Sequence, residues 1–300
     1  NSKRHTLRTI RLFQKLFTTF TPDVIHSHHR YMTFLMASVF KNRSTLIHTE
    51  HVLRKDKRLF FRPGDLSIAV HESVRKNLID FFKVPEKKVV TIPNAVPPMI
   101  PDPETLKALE QQFKSLNNHF RLACVGRLEE QKGHQYMIDA VGLMPEKIRT
   151  KLMIFLAGDG SLESKLKNRV KSAGIEDCFT FLGHYSHVPE LLSFCHAMVL
   201  PSLWEGLPLS VLESFSAARM VLATNIPGTS ELVINQETGA LVPPCDPPSL
   251  AGAIQYLMNH PDEVERMGRR AMEIWEKSYS LDRMVDQYFS YYRSQSTGRL

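Results

Sequence analysis

The strongest constraint on the fold of this chain is an alternation of short apolar runs with segments of helical spacing between about Phe120 and Met258. The apolar runs read, in order, FRLACVG, LMIFLAG, CFTFLG, AMVLPS, MVLATN and GALVPP. They are too short to be buried helices, and amphipathic segments such as SLESKLKNRVKSAG separate them. This alternation predicts a parallel sheet covered by helices on both faces, which is a doubly wound, Rossmann-like domain.

The first third of the chain repeats the pattern less completely. Its candidate strands are DVIHSH, TLIHTEH, LSIAV and KVVTIPN, and no glycine-rich turn opens the set. We interpret it as the latter part of a second doubly wound domain, and we expect that residues upstream of Asn1 have been lost. Five prolines between Pro93 and Pro103 follow, and their fixed backbone angles suit an interdomain connector.

These patterns predict an α/β protein with two facing Rossmann-like domains, of which the first is incomplete. The predicted divisions are residues 1–97 for the partial first domain, 98–278 for the second domain, and 279–300 for a C-terminal helix that could pack back on the first. Two such domains would form a cleft at the carboxyl ends of their sheets, where ligands bind in this architecture.

The charge balance favours anionic partners, because 38 Lys and Arg against 31 Asp and Glu give a net charge of +7. The excess is dispersed except in the basic, aromatic segment Val52–Arg62, where Arg54, Lys55, Lys57 and Arg58 cluster. This segment could contact an anionic membrane or form a solvated loop, and the sequence favours neither. Since no DNA or RNA motif occurs, we do not expect nucleic acid as a partner.

Cysteine usage and hydropathy indicate the compartment. The four cysteines form no C-x-x-C pair, and we interpret them as core residues in a reducing compartment: Cys124, Cys178, Cys195 and Cys245. No apolar run approaches the roughly 20 residues of a spanning helix, and the N-terminus lacks the plan of a signal peptide. We therefore predict a cytoplasmic protein that could touch the inner face of the membrane.

Two strand-to-helix turns could hold phosphate. In CVGRLEEQKGHQ, Arg127 and Lys132 rise from a loop that ends at a helix N-terminus, which suits a diphosphate; two solvated cations are an equally good interpretation. In LAGDGSLE, Gly158 and Gly160 invite a dinucleotide interpretation, but the third glycine of that motif would fall at Glu163. A tight, closely packed turn is therefore favoured there.

The stretch PSLWEGLPLSVLESFS carries two carboxylates after a buried strand. Glu205 lies in the loop, Pro208 suits the first turn of a helix, and Glu213 lies further along that helix, about 80° round from Glu205. The two acids do not form one unit, as a glycosidase pair would. We interpret them as hydrogen-bond acceptors for two parts of one polyhydroxylated ligand; a helix acid plus a surface acid is the alternative.

Together, VGRLEEQKG, FLGHYSHVPELL, EGLPLSVLE, ATNIPGTSELV and ETGALVPP resemble the retaining GT-B glycosyltransferases of family 4, in their order and spacing. The resemblance implies that Arg127 and Lys132 hold the donor diphosphate and that Glu213 accepts hydrogen bonds from the ribose. Glu205 and the backbone after it would hold the donor sugar: Gly206, Leu207, Pro208 and Leu209. The backbone near the base would be that of Gly183, His184 and Tyr185.

In the first domain, the resemblance implies a role for His48, in TLIHTEH, near the reacting sugar. It also places Asn94, in IPNAV, where the family has I-P-N-G-V, with Ala95 in place of the usual Gly. Five histidines could be taken for a metal cluster: His26, His28, His29, His48 and His51. They lack tight ligand spacing, and no D-x-D motif occurs, so we expect neither a metal nor another cofactor.

The resemblance implies transfer of a sugar from a nucleoside-diphosphate sugar to a hydroxyl of a glycan or lipid-linked acceptor, with retention of configuration. The leaving phosphate would help take the acceptor proton. Three alternatives stay open: a GT-B sugar-nucleotide epimerase, a non-catalytic nucleotide-sugar-binding fragment, and a basic nucleic-acid binder, against which the dispersed charge counts.

Overall fold

A computed structural model describes residues 2–20, 22–39, 44–53 and 61–296 of the chain. The chain divides into two compact units. The first contains residues Asn1–Asn94 with Asp282–Leu300, and the second contains Ala95–Leu281. The predicted divisions at 97/98 and 278/279 lie three residues from the observed ones at 94/95 and 281/282. Most of the predicted basic cluster falls in residues 54–60, which lie outside the described residues.

The first unit is built on a parallel sheet in the order β1-β2-β3-β4. Its elements before the connector are α1 (Ser2–Thr19), β1 (Val24–Ser27), α2 (Arg30–Val39), β2 (Thr45–Glu50), β3 (Leu66–Ala69), α3 (Glu72–Asp80) and β4 (Val89–Thr91). All residues of β2 and β3 are buried, including the polar Thr45, His48, Thr49 and Glu50 of β2.

The second unit is built on a six-stranded parallel sheet in the order β10-β9-β8-β5-β6-β7. Its strands are β5 (Phe120–Val125), β6 (Leu152–Ala157), β7 (Phe179–Gly183), β8 (Ala197–Leu200), β9 (Met220–Thr224) and β10 (Gly239–Val242). Its helices are α4 (Pro103–Gln112), α5 (His134–Leu143), α6 (Glu146–Arg149), α7 (Glu163–Ser172), α8 (Val188–Phe194), α9 (Leu209–Ser216), α10 (Pro247–Asn259) and α11 (Pro261–Ser278).

This strand order is that of a doubly wound, Rossmann-like domain, and the order reverses between β5 and β8. The central strands β6, β8 and β9 are buried on both faces, as the apolar runs predicted. Asp102 and Asp246 cap α4 and α10, because each carboxylate accepts a hydrogen bond from the backbone N–H three residues on. A proline follows each cap, where its missing N–H costs nothing.

The last helix, α12 (Leu281–Ser296), returns to the first unit. Its Met284, Tyr288, Tyr291 and Tyr292 pack against buried side chains of the first sheet: Ile47, Leu66, Ile68 and Ile92. In the described part of the chain, no helix is long and apolar enough to cross a bilayer.

The cysteines are all free thiols, and three of them are buried in the second unit. The core interpretation is wrong for the fourth, because Cys245 is exposed. It lies in the turn between β10 and α10 with a φ of 57°, outside the strand whose apolar run suggested a core position.

The turn after β6 is closely packed, which agrees with the tight-turn interpretation. Gly158 has a φ of +149°, and a Cβ there would collide with the backbone carbonyl of Gly126. Gly160 similarly lies against the backbone of Leu128. These glycines let the turns that follow β5 and β6 lie against each other.

We expect Gly158→Ala to lower the free energy of unfolding by more than about 1 kcal/mol, because the new methyl group meets backbone and the φ is strained. Gly142→Ala is the matched control. Gly142 lies exposed in α5 with nothing near its Cβ position, so alanine should stabilise by about 0.5–1 kcal/mol. Urea unfolding followed by tryptophan fluorescence reports on this unit, which holds Trp204 and Trp275. Equal effects of the two substitutions would contradict the packing argument.

Candidate functional site

Two loops meet where the strand order of the second sheet reverses. The strands β5 and β8 are neighbours, and their carboxyl ends lead into the loops that hold Lys132 and Glu205. The loops are tied together, because the Leu203 N–H donates to the Gln131 carbonyl at 2.8 Å. Gly133, with a φ of +63°, lets the first loop pass close to the Pro201 carbonyl before α5 begins. This edge of a doubly wound sheet is where ligands bind.

Lys132 and Glu205 form a largely buried ion pair at this point. The Lys132 Nζ lies 2.6 Å from Glu205 Oε1, and the side chains are 15% and 6% exposed. Glu205 also accepts hydrogen bonds from Ser202 Oγ at 2.8 Å and from Gln131 Nε2 at 3.3 Å. The structure thus joins two residues for which the sequence predicted separate tasks, on phosphate and on sugar.

Arg127 lies in the same loop as Lys132 but has a different environment. Its side chain is exposed, whereas that of Lys132 is largely buried. Hydrogen bonds from Ser161, together with the charge of Arg127, lower the pKa of the neighbouring Glu129 carboxyl. The loop therefore holds one cation inside the site and one at its surface.

The segment after Glu205 packs against the loop that contains Gly228. A Cβ at Gly228, whose φ is +91°, would collide with the carbonyl of Gly206. Leu207 and Pro208 are buried, and α9 begins at Leu209, which is exposed. The backbone predicted to hold a sugar therefore runs into the N-terminus of α9, whose N–H groups favour negative charge.

Glu213 lies on α9 and is more buried than a surface acid would be. Burial raises the pKa of its carboxyl, and the charge of Lys132 opposes this shift. Lys132 therefore acts electrostatically on both predicted carboxylates, so the interpretation of Glu213 as a surface acid does not describe its environment.

Gly183 is the last residue of β7, and His184 and Tyr185 follow it, at the outer edge of the sheet beyond β6. The Gly183 carbonyl accepts a hydrogen bond from Gly158 N–H at 2.7 Å, and Gly183 has a φ of +65°. Two strand spacings, roughly 10 Å, separate β7 from β5. An elongated ligand could reach both the ion pair and this edge.

In the first unit, His48 lies in the interior and is 1% exposed. Its Nδ1 lies 2.8 Å from Thr33 Oγ1 and its Nε2 lies 3.5 Å from Glu50, which also pairs with Arg30. His48 belongs to β2, so it precedes the carboxyl end of that strand. This environment suits a structural histidine.

A pocket of about 380 Å³ lies in the first unit. One wall comes from the strand ends and the connector, with His26, His28, His51 and Asn94. The other comes from α12, with Met284, Val285, Tyr288, Phe289 and Tyr292. The sequence predicted a site role for Asn94, whereas His51 was considered only as one of five histidines of an improbable metal cluster. The signal for His51 was available, because it immediately follows β2 and ligands bind at the carboxyl ends of parallel strands.

The imidazole rings of this pocket are close together and neutral at pH 7. His26 Nδ1 lies 2.6 Å from the Tyr292 hydroxyl and its Nε2 lies 2.7 Å from Thr49 Oγ1, while His28 Nδ1 lies 3.1 Å from His51 Nε2. Burial, and then repulsion from neighbouring histidines that include the interior His48, lowers the pKa of His28 and His51 and brings that of His26 to about 4. Among the described residues, no group of three or more His, Cys, Asp or Glu is placed to hold a metal ion.

The strand order and the paired loops define the second unit as a Rossmann-like domain of the GT-B class. Residues 107–274 match the family model described as Glycosyl transferases group 1, and residues 1–99 match Glycosyltransferase Family 4. Because the first match covers more than half of the 300 residues, the chain belongs to the glycosyl transferases group 1 family.

Named relatives are similar over part of their length. Alpha-D-kanosaminyltransferase of Streptomyces kanamyceticus is 30% identical over 64% of this chain and 50% of its own. UDP-Gal:alpha-D-GlcNAc-diphosphoundecaprenol alpha-1,3-galactosyltransferase of Escherichia coli is 28% identical over 73% and 62%. The crystal structure of Anabaena Alr3699/HepE in complex with UDP superposes with a TM-score of 0.85 at 19% identity, covering 95% and 82%. The chain thus spans about half the length of the kanosaminyltransferase.

The shifted pKa of His26 makes the first unit sensitive to acid. Below pH 6.5 the unfolded chain takes up a proton at His26, whereas the folded chain does not until about pH 4. The free energy of unfolding should therefore fall as the pH is lowered from 6.5 toward 4. His26→Gln should remove part of this slope in urea titrations at successive pH values.

Nuclear magnetic resonance of the histidine ring protons checks the pKa shift directly. The resonance that disappears in His26→Gln should titrate near pH 4 in the unsubstituted chain. A midpoint near 6.5 would show that the His26 ring is not buried as described.

Proposed function

We propose that this chain is the donor-binding part, with a portion of the acceptor-binding part, of a retaining glycosyltransferase that uses a nucleoside-diphosphate sugar. The observation that carries the proposal is the Lys132–Glu205 pair at the switch point of the second sheet. It puts a cation suited to phosphate and an acceptor suited to sugar hydroxyls side by side. Family membership and the transferase activities for which the relatives are named support the same reaction class.

In this proposal the donor lies along the carboxyl edge of the second sheet. Arg127 and Lys132 hold the diphosphate, since a guanidinium can grip phosphate with two parallel hydrogen bonds and an ammonium adds a point charge. Glu205 and the backbone of residues 206–209 hold the sugar. Glu213 accepts from the ribose hydroxyls, and the base lies near residues 183–185, at the outer edge of the sheet.

The chemistry follows from where charge develops. As the sugar leaves, negative charge grows on the departing diphosphate, where Arg127, Lys132 and the N-terminus of α9 would stabilise it. These positive groups belong to the protein, so the proposal requires no metal cofactor. Attack from the same face, with the leaving phosphate taking the acceptor proton, would retain the configuration.

The acceptor side of the proposal rests on the pocket of the first unit. Its wall of neutral imidazoles with Asn94 offers hydrogen-bond partners, and α12 offers an apolar wall. We assign the role first predicted for His48 to His51, because His51 lines the pocket and His48 does not. A glycan or lipid-linked acceptor fits such a mixed surface, and the Escherichia coli relative has a lipid-linked acceptor in its name.

Calorimetric titration with UDP, GDP and ADP tests the donor site; HepE was solved with UDP, so UDP comes first. We expect one nucleotide to bind selectively and Lys132→Met or Arg127→Ala to weaken it roughly tenfold or more, as for loss of a charge-assisted hydrogen bond. Lys107→Met, at an exposed position on α4, is the control for loss of a positive charge. Binding should be unchanged by a chelator.

The variant Glu213→Gln distinguishes recognition of the ribose from recognition of the phosphates. It should weaken binding of the selected nucleotide but should not weaken binding of inorganic pyrophosphate, because pyrophosphate has no ribose. Failure of a folded chain to bind any of the three nucleotides, or equal losses for pyrophosphate and nucleotide in Glu213→Gln, would contradict the proposed donor site.

A further inference from the structure

Two anions, the Glu205 carboxylate and the diphosphate of the proposed donor, compete for the Lys132 ammonium group. In the structure it donates to Glu205 at 2.6 Å, and both side chains are largely buried. In the proposed function the same ammonium group serves the donor diphosphate. A phosphate that takes up Lys132 must therefore share it with, or remove it from, the Glu205 carboxylate. Attraction between buried charges is strong, so this competition has a measurable effect on affinity.

Glu205 is held so that it does not follow Lys132. Ser202, which is fully buried, donates to the carboxylate, and Gln131 donates to its other oxygen. The Ser202 carbonyl in turn accepts from Thr224, and Gly228 packs against the backbone of the Glu205 loop. Lys132 has a flexible stem that lies along Gly126. Lys132 is therefore the partner that moves.

The consequence for Glu205 depends on what the ligand brings. A buried carboxylate that loses its counter-charge is costly unless new donors reach it. The hydroxyls of a nucleotide-linked sugar are such donors, and a nucleoside diphosphate without a sugar has none in that position. Displacing Lys132 from Glu205 therefore costs more free energy when a nucleoside diphosphate binds than when the sugar nucleotide binds.

We propose that Glu205 is a specificity-determining residue that makes the site prefer a sugar nucleotide to the corresponding nucleoside diphosphate, by competing for Lys132. The inference rests on the proposed function and adds the coupling between the phosphate and sugar positions. After transfer, Glu205 recaptures Lys132, which favours release of the nucleoside diphosphate.

The test is the ratio of the dissociation constants for UDP and UDP-glucose, with the GDP and ADP pairs in parallel. Glu205→Gln keeps the shape and removes the competing charge. It should bind the nucleoside diphosphate roughly tenfold more tightly without tightening the sugar nucleotide, so the preference falls by about that factor. Unchanged or weaker binding of the nucleoside diphosphate would overturn the inference.

Glu130→Gln is the matched control, because Glu130 is an exposed carboxylate next to Gln131 in the same loop. It removes the same charge without touching the pair and should leave the ratio unchanged. An equal change in Glu130→Gln would mean that general loop charge, and not the pair, sets the preference, which would overturn the inference.

The variant Lys132→Met distinguishes failure of the proposed function from failure of the proposed competition between Glu205 and the diphosphate. If it fails to weaken nucleoside diphosphate binding, the proposed function is wrong at this residue; if it weakens binding while Glu205→Gln leaves the ratio unchanged, only the coupling is wrong. Should Glu205→Gln not fold, the double variant Lys132→Met/Glu205→Gln removes both charges together and leaves neither unpaired. A preference for the sugar nucleotide that is as large in the double variant as in the unsubstituted chain would overturn the inference.

Discussion

The contact between Lys132 and Glu205 depends on the neighbouring positions of β5 and β8. The two strands are far apart in the chain, and each ends in a loop that would be ordinary alone. Because the sheet places them side by side, a cation from one loop and an acid from the other come within 2.6 Å. The loop-to-loop hydrogen bond at Leu203, the left-handed turn at Gly133 and the close approach of Gly228 all serve to hold this contact.

Burial strengthens the electrostatic interaction between Lys132 and Glu205. A surface pair between the same side chains would add little, since water screens it. Inside the site, the charge of Lys132 reaches Glu205 directly and also counteracts the raised pKa of Glu213. One ammonium group thereby influences both carboxylates of the EGLPLSVLE motif, and a ligand that draws on it changes the surroundings of both.

The pocket of the first unit has a wall of neutral polar groups, whereas the site of the second unit contains a largely buried ion pair. Its pocket contains imidazoles whose pKa values are lowered by burial and by neighbouring histidines, so the wall is polar without being charged. Such a surface can exchange hydrogen bonds with hydroxyl groups without the desolvation cost of an ion. His48 lies deeper, where Thr33 and Glu50 engage its ring, and this explains why chain position alone did not separate it from His51.

The sequence by itself determined the alternation of strands and helices, and with it the parallel sheets and the close turn at Gly158. These features follow from local periodicity and from residues whose backbone preferences act over a few positions. The motifs also placed Arg127, Lys132, Glu205 and Glu213 in one family pattern. Only the tertiary structure decided that Lys132 binds Glu205, that Cys245 is exposed, and that His51 lines the pocket in which α12 forms the second wall. Those outcomes depend on which strands become neighbours and on which side chains are left at their ends, and contacts between residues more than 70 positions apart leave no local pattern to read.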